Sequence, residues 1–508
     1  MDQLSHLLEG FGGAFTPMNL LWVVVGAMLG TAVGVLPGLG SAMAVALLLP
    51  VTFSLDPTGA FIMFAGVYYG GLFGDSTTGI LLNTPGNSSA IATTFEGHRM
   101  AKAGRAPQAL ATSAIGAFIG GIIATTLVVF FAPHLADLAG LFGPAEYFAL
   151  AVFAFAATAT VVADSVIKGS ISLVIGLSLA LIGIDGSSGA SRFTLDLPPL
   201  FDGVSIVVIT VGLLALGEVL FVASRIHRDP PAPRVAFTGR PWLSRGDVKL
   251  AWPAWLRGAG FGVPFGVIPV GGSEVPTFLS YATEKRLDKR RRKRMFGKGA
   301  IQGVAGPEAA GNATAGSAMG ALLALGLPTS ATAAIMLAAF QQYGMQPGPL
   351  LFERNSELVW TLLASLFIGM IVLLIINLPF APMWAKLLLV PRHYLYAGIT
   401  VFCGLGIYAT SASAFDLMLL LGIGLLGFMM RRYGLPLAPV LIAVILGPLA
   451  ETELRRALAV SEGDVTVLFD SGIAVTLYTL LAGAIVLTAV NRVRTARRRR
   501  AAQRELVA

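Results

Sequence analysis

The chain has 508 residues, of which 55% are hydrophobic and only 12% are charged, so its composition excludes an ordinary soluble protein and favours one that crosses a membrane repeatedly. The net charge of +8 is concentrated in short basic stretches beside apolar runs, which indicates membrane topology and predicts no nucleic-acid partner. One cysteine and five scattered histidines predict neither an internal disulfide nor a site for a resident metal or cofactor.

The first half of the chain begins with an apolar stretch, residues 18–53, that is interrupted at Pro37-Gly38. Proline and glycine are poor choices inside a continuous helix, so this stretch predicts a bent helical hairpin. A long apolar run at 59–82 contains Asp75 and leads to a second interruption. We expect a basic loop at 96–107. Four conventional spans are then predicted near 109–132, 146–166, 168–186 and 204–225.

The second half follows a polar, proline-rich linker. Its first segment, 251–281, is predicted to break at Pro264 and Pro269. A run of small residues at about 300–326 carries Asn312 and Thr314, and it leads to an interruption around Pro328. The remaining predictions are spans near 358–379, 394–410, 414–430 and 436–449, an acidic loop at 451–470, a last span near 472–490 and a basic tail.

Charge also predicts which side of the membrane each loop faces, because short basic loops lie in the cytoplasm. This rule makes the first hairpin enter from outside and the second from the cytoplasm, with the N-terminus outside and the C-terminus cytoplasmic. We therefore predict an all-α polytopic membrane protein with two inverted-topology repeats, broken re-entrant helical hairpins and about 11–13 membrane segments. The predicted regions are a first repeat (1–226), a cytoplasmic linker (227–250), a second repeat (251–470), and a final transmembrane helix with the basic tail (471–508).

The breaks indicate where a ligand binds, since broken helices persist in a membrane only when buried in protein or lining a polar cavity. A helix that restarts after a break presents N–H groups that favour carboxylates. The predicted substrate-binding residues are Asn83, Thr84, Pro85, Gly86, Asn87, Ser88, Ser89, Pro328, Thr329 and Ser330.

Carbonyl groups released at the first break of each half suit a cation, and a carboxyl group buried within a span is a functional candidate. The sequence thus predicts coupling to Na⁺ or H⁺, with no other metal and no resident cofactor. The predicted ion-coupling residues are Pro37, Gly38, Ser41, Asp75, Pro269, Gly272, Ser273, Asn312 and Thr314.

Four motifs, taken together and in this order, resemble the large membrane subunit of the tripartite tricarboxylate transporters. They are Gly34-Val35-Leu36-Pro37-Gly38-Leu39-Gly40, Tyr69-Gly70-Gly71 through Asn83-Thr84-Pro85-Gly86, Gly326-Leu327-Pro328, and Gly447-Pro448 with Glu451 and Arg455-Arg456. The resemblance implies a secondary transporter of the bacterial inner membrane that imports tricarboxylates or related organic anions. It also implies two partners, a small membrane subunit and a periplasmic substrate-binding protein.

Three other functions are weighed against this one. A passive anion channel would also use broken helices. An intramembrane serine protease would use Gly186-Ser187-Ser188-Gly189, but no histidine lies within a later span to act as the base. A primary pump would need a phosphate-binding loop, and Gly297-Lys298 is followed by Gly299 in place of serine or threonine.

Overall fold

The computed structural model describes residues 2–36, 39–52, 54–84, 86–159, 165–186, 188–225, 239, 241–268, 272–290, 295–388, 390–483 and 485–486. Several predicted features lie outside the described residues, namely Pro37, Gly38, Pro85, Pro269, the side chain of Ser88, most of the linker and the basic tail. The described chain is almost entirely helical, which confirms the all-α polytopic class.

The helices are numbered in chain order. They are α1 (Asp2–Ala14), α2 (Pro17–Gly34), α3 (Ser41–Thr52), α4 (Pro57–Leu82), α5 (Ile91–Met100), α6 (Ala106–Ala139), α7 (Pro144–Ala157), α8 (Val166–Ala180), α9 (Ile206–Thr210), α10 (Gly217–Ala223), α11 (Arg245–Val267), α12 (Glu274–Arg290), α13 (Gln302–Leu325), α14 (Ala331–Gln342), α15 (Pro349–Arg354), α16 (Ser356–Asn377), α17 (Ala381–Leu387), α18 (Arg392–Ser411), α19 (Ala414–Tyr433), α20 (Ala438–Val460), α21 (Val467–Asp470) and α22 (Gly472–Gly483). Two short strands, β1 (Gly183–Ile184) and β2 (Ser191–Arg192), pair antiparallel. Short 3-10 turns (Ser88–Ala90, Pro198–Leu200) and π-helical turns (Ala101–Arg105, Val211–Leu216) connect neighbouring elements.

Helix ends follow local chemistry. α4 begins after Asp56, whose carboxylate accepts a hydrogen bond from the Gly59 amide at 2.9 Å, and proline occupies its first position. α4 ends at Asn83 and α13 ends at Gly326, both with positive φ (58° and 69°). A left-handed residue at this point closes a helix and frees the chain to change direction. The interruption predicted after each long segment therefore begins with a left-handed cap.

α4 and α13 form the buried centre of one compact unit, which comprises Met1–Gly140 and Val204–Tyr433. Each is packed by a neighbouring helix that contributes glycine at every fourth position. A Cβ atom on Gly26, Gly30 or Gly34 of α2 would lie within 2.5 Å of the carbonyl oxygens of Met63, Val67 and Gly71, respectively. Glycine at this spacing lets two backbones approach closely, and any larger residue would push them apart.

The same contact recurs in the second half of the chain. A Cβ atom on Gly258, Gly262 or Gly266 of α11 would lie within 2.3 Å of the carbonyl oxygens of Gly306, Ala310 and Thr314, respectively. Each contacted residue on α13 follows its counterpart on α4 by 243 positions, and the same offset relates Asn83 to Gly326. The two helix pairs thus share one local packing scheme, whereas the inverted orientation of the halves stays a prediction.

The other compact unit comprises Leu141–Gly203 and Gly434–Ala508, and its described residues form α7, α8, the strand pair and α20–α22. Gly176 of α8 packs against the Val440 carbonyl of α20, where an added Cβ would lie 2.5 Å from the oxygen. Arg192 donates two hydrogen bonds to Glu451, at 3.0 and 2.8 Å. Arg455 reaches both Glu451 and Asp185, at 2.7 and 2.8 Å. Both compact units draw segments from both predicted repeats.

Several predicted boundaries are wrong. A break was predicted at Pro264, but α11 continues through both Pro253 and Pro264 and ends only at Val267. Residues 96–107 are a helical connection with a kink at Gly104 (φ 77°), where a loop was predicted. α20 continues through Glu451 to Val460, into the region predicted as an acidic loop. The 187–203 connection contains β2, a short strand that the sequence did not predict.

Six described helical segments are long and apolar enough to cross a membrane: Pro17–Gly34, Ile91–Asp137, Ile206–Ala223, Ser356–Asn377, His393–Ser411 and Ala414–Tyr433. The two central helices α4 and α13 are not among these six, and nearly all of their residues are buried within the protein. The total of 11–13 membrane segments stays a prediction.

Candidate functional site

The first break in each half leaves helix carbonyl groups without their usual partners, and threonine hydroxyls satisfy them. Thr78 donates to the Val35 carbonyl at 2.7 Å, and Thr329 donates to the Gly266 carbonyl at 2.9 Å. Thr329 was predicted to bind substrate, yet its hydroxyl supports the end of α11 here. An orphaned buried carbonyl is costly, so these threonines stabilise the broken helices.

Asp75, near the C-terminal end of α4, lies in the centre of the site and is 1% exposed. Its carboxylate accepts hydrogen bonds from the backbone N–H groups of Gly86 and Asn87, the latter at 2.9 Å. These are two of the N–H groups that the sequence predicted would hold a substrate anion. In this structure a carboxylate from the protein itself is bound there, which shows that the loop suits a carboxylate.

A second buried carboxyl group, that of Glu308 on α13, faces the same region. It is 5% exposed and accepts a hydrogen bond from Ser76, the neighbour of Asp75, at 2.6 Å. Glu308 is not among the residues predicted for the site, although it lies four positions before Asn312. That i, i+4 spacing puts both side chains on one face of a helix, and it is the signal that could have identified Glu308.

Asp75 and Glu308 line a small cavity between α4, α13 and the turn that carries Ser89. The cavity has room for about one water-sized sphere, so it suits an ion better than a citrate-sized anion. The described lining residues are Leu72, Asp75, Ser76, Ser89, Ala90, Pro307, Glu308, Gly311 and Asn312.

Asn312 lines this cavity and is 3% exposed. Its amide nitrogen donates to the Glu308 backbone carbonyl at 3.1 Å, but its Oδ1 atom has no hydrogen-bond partner within the described part of the chain. The 243-residue offset makes Tyr69, and not Asp75, the positional counterpart of Asn312. Asp75 and Asn312 therefore occupy different positions in the two central helices, although their side chains line one cavity.

Most of the other predicted residues form hydrogen bonds or caps that stabilise the chain near the breaks. Ser330 accepts from the Ala333 amide at 3.2 Å and so caps α14, and Ser41 lies 3.1 Å from Thr332. Thr314 and Ser273 donate to backbone carbonyls within their own half of the chain. Gly272 adopts a positive φ of 64° that favours glycine. Asn83 caps α4, and Thr84 and Ser89 are half-buried near it.

Sequence reasoning also missed Glu96, which was predicted to lie in an exposed basic loop. Its side chain is fully buried and accepts backbone hydrogen bonds from Gly297, Gly299 and Ala300 at 2.8–2.9 Å. Tyr281 adds a hydroxyl at 3.2 Å. One carboxylate from the first half thus organises the chain that enters α13.

Comparison with known proteins gives a consistent result. A family model described as "Tripartite tricarboxylate transporter TctA family" matches residues 20–442. The chain is 40% identical over 498 residues, 98% of both chains, to an uncharacterized 52.8 kDa protein of Agrobacterium vitis from the TAR-I ttuC' 3' region. It is 39% identical over 232 residues to an uncharacterized protein of the TAR-II ttuC' 3' region of the same organism, covering 46% of this chain and 95% of that one. No solved structure matches significantly.

Proposed function

The chain belongs to the tripartite tricarboxylate transporter TctA family, a family of multi-pass membrane transporters, and we propose that it is the permease subunit of a binding-protein-dependent secondary transporter. In this proposal it imports a tricarboxylate or a related organic anion by symport with Na⁺ or H⁺. It acts in the bacterial inner membrane with its N-terminus outside and its C-terminus in the cytoplasm.

The capture of Asp75 by the Gly86 and Asn87 amides is the observation that most directly supports an anionic substrate. Amides that hold one carboxylate in a buried loop suit another carboxylate when Asp75 withdraws. The small cavity beside them suits the coupling ion. Substrate would then bind at the residues after the two second breaks, as the sequence predicts, once the site opens.

The proposed partners follow from the family, in which this chain is the large subunit of a tripartite system. A small membrane subunit and a periplasmic substrate-binding protein complete the system in this proposal. The binding protein would deliver the organic anion, and the lipid bilayer surrounds the described apolar helices.

The test is reconstitution of the chain with both partner subunits in liposomes that carry defined ion gradients. Uptake of a labelled carboxylate should saturate, should require the binding protein, and should stop when ionophores collapse the gradients. The substrate is chosen by screening organic acids for binding to the periplasmic partner. Uptake that persists without any gradient and without the binding protein would favour a passive anion channel.

An intramembrane protease is not supported by the position of Ser188. This serine lies in the connection between β1 and β2, where its amide donates to Asp185 at 2.8 Å and its hydroxyl accepts from Ala190 at 3.4 Å. Neither contact provides the general base that a serine nucleophile requires. Support for the protease would require cleavage of a model membrane substrate that is lost in Ser188→Ala.

A further inference from the structure

We propose that the cavity between α4 and α13 binds one sodium ion, with the Glu308 carboxylate and Asn312 Oδ1 as direct ligands. This inference rests on the proposed function, because it identifies the ion and the residues that would couple it to transport. It adds Glu308 to the site and commits to Na⁺ over H⁺.

The first argument is charge. Two carboxyl groups, Asp75 and Glu308, line the cavity, and none of the nine described lining residues is Lys, Arg or His. Asp75 accepts hydrogen bonds from two backbone amides. Glu308 accepts a hydrogen bond from the Ser76 hydroxyl but has no cationic partner among the described lining residues. A buried carboxylate without a counter-charge is strongly disfavoured, so Glu308 requires either a proton or a cation beside it.

The second argument is the oxygen of Asn312. An amide oxygen at 3% exposure with no hydrogen-bond donor loses hydration without compensation. Donor groups and cations both satisfy such an oxygen, and in this cavity the Glu308 carboxylate lies on the same helix face. Carboxylate and amide oxygens together form a ligand set for a hard cation.

The third argument selects a monovalent ion. A divalent ion such as Ca²⁺ takes about six to eight oxygen ligands, and with Asp75 held by the Gly86 and Asn87 amides the other described lining side chains offer fewer. A proton on Glu308 would neutralise this carboxylate, whereas a cation beside Glu308 would neutralise it and also contact Asn312 Oδ1. A sodium ion, with the Ser76 and Ser89 region supplying further oxygen atoms, meets both requirements.

The test is equilibrium binding of radioactive ²²Na⁺ to the purified full-length chain in lipid nanodiscs, with potassium and choline as competitors. The wild type should bind one Na⁺ saturably, without substrate or partner subunits. Glu308→Gln retains an oxygen for Ser76 but removes the charge, and Asn312→Ala removes the unpartnered oxygen. Each substitution should weaken Na⁺ binding about tenfold or more, which is the scale expected when a cation loses one oxygen ligand.

Asn377→Ala is the matched control, since Asn377 is also buried and also donates to the carbonyl four residues earlier, but it lies on α16 and is not among the described lining residues. It should bind Na⁺ as the wild type does. Size-exclusion profiles identify misfolded variants, and Asn312→Ala decides the test alone if Glu308→Gln does not fold.

The proposal is overturned if the wild type shows no saturable Na⁺ binding from neutral to alkaline pH, as a proton-only site would. It is also overturned if folded Glu308→Gln and Asn312→Ala bind Na⁺ normally. Carboxylate transport is measured separately in proteoliposomes. A chain that binds Na⁺ at this site but transports no carboxylate would refute the proposed function and leave the ion site standing.

Discussion

The hydroxyls of Ser41 and Thr332 lie 3.1 Å apart, although 291 residues separate them in the chain. Ser41 begins α3, just after the first break, and Thr332 lies in the first turn of α14, just after the last one. One hydrogen bond thus joins helix starts from opposite halves of the sequence. Both residues are buried, so the bond is shielded from water.

Removal of this bond should lower stability. We expect Ser41→Ala and Thr332→Val each to cost about 1 kcal/mol of unfolding free energy, and the double variant to cost less than the sum, because the two hydroxyls share one bond. The measurement is a double-mutant cycle on thermal unfolding in detergent. Thr400→Val is the control, since its hydroxyl bonds only to the Tyr396 carbonyl of its own helix. Strict additivity would contradict the predicted coupling.

Thr329 should affect transport through its hydroxyl. Thr329→Val leaves the Gly266 carbonyl without its partner and removes a predicted substrate contact, so we expect carboxylate uptake to fall about tenfold. Thr329→Ser keeps the hydroxyl and should restore most of the uptake. Thr479→Val, at an exposed hydroxyl that bonds within its own helix, is the control for expression and insertion. Uptake at the wild-type rate by Thr329→Val would contradict the assignment of Thr329 to the substrate site.

The glycine contacts of α11 with α13 predict that adding a single methyl group there lowers stability. Gly262→Ala places a Cβ 2.2 Å from the Ala310 carbonyl oxygen, so the helices must separate, at a cost of about 1–3 kcal/mol or more. Gly422→Ala meets no heavy atom within 4 Å in the described structure and should leave the melting temperature unchanged or slightly raised. Equal melting temperatures for the two variants would refute the packing described for α11 and α13.

The Arg105–Asp247 pair predicts how acid affects the first compact unit. Partial burial opposes ionisation of Asp247, but hydrogen bonds from Ser244 and Arg105 outweigh it and hold the pKa of this carboxyl below its ordinary value. A lowered pKa in the folded state adds stability above the unfolded pKa, and this contribution disappears as the pH falls through the folded pKa.

Wild type should therefore be more stable than Asp247→Asn near neutral pH, and this difference should shrink as the pH falls below about 4. The measurement is the melting temperature of both proteins across a pH series. Asp202→Asn, at an exposed loop position, is the control. A difference between wild type and Asp247→Asn that grows towards acid would reverse the sign and contradict the assignment.

Sequence reasoning located the main elements because they depend on local signals. Gly34 and Ser41 flank the first break as predicted, and the long apolar run around Asp75 forms one helix. Pro264 misled the prediction because α11 is packed against α13 at Gly262 and Gly266, on either side of this proline, and continues to Val267. The Asp75–Glu308 cavity could not be derived, because Ser76 and Glu308 are 232 residues apart and only tertiary packing brings them together.

Glu96 has a consequence for how the protein is made. Its carboxylate accepts hydrogen bonds from the amides of Gly297, Gly299 and Ala300. Glu96 is synthesised about 200 residues before those amides. At roughly 5–20 residues per second, the ribosome needs about 10–40 s to span that interval. Throughout that time the growing polypeptide carries an acidic group without its final partners, so the surroundings of Glu96 are completed only after residues 297–300 have been made.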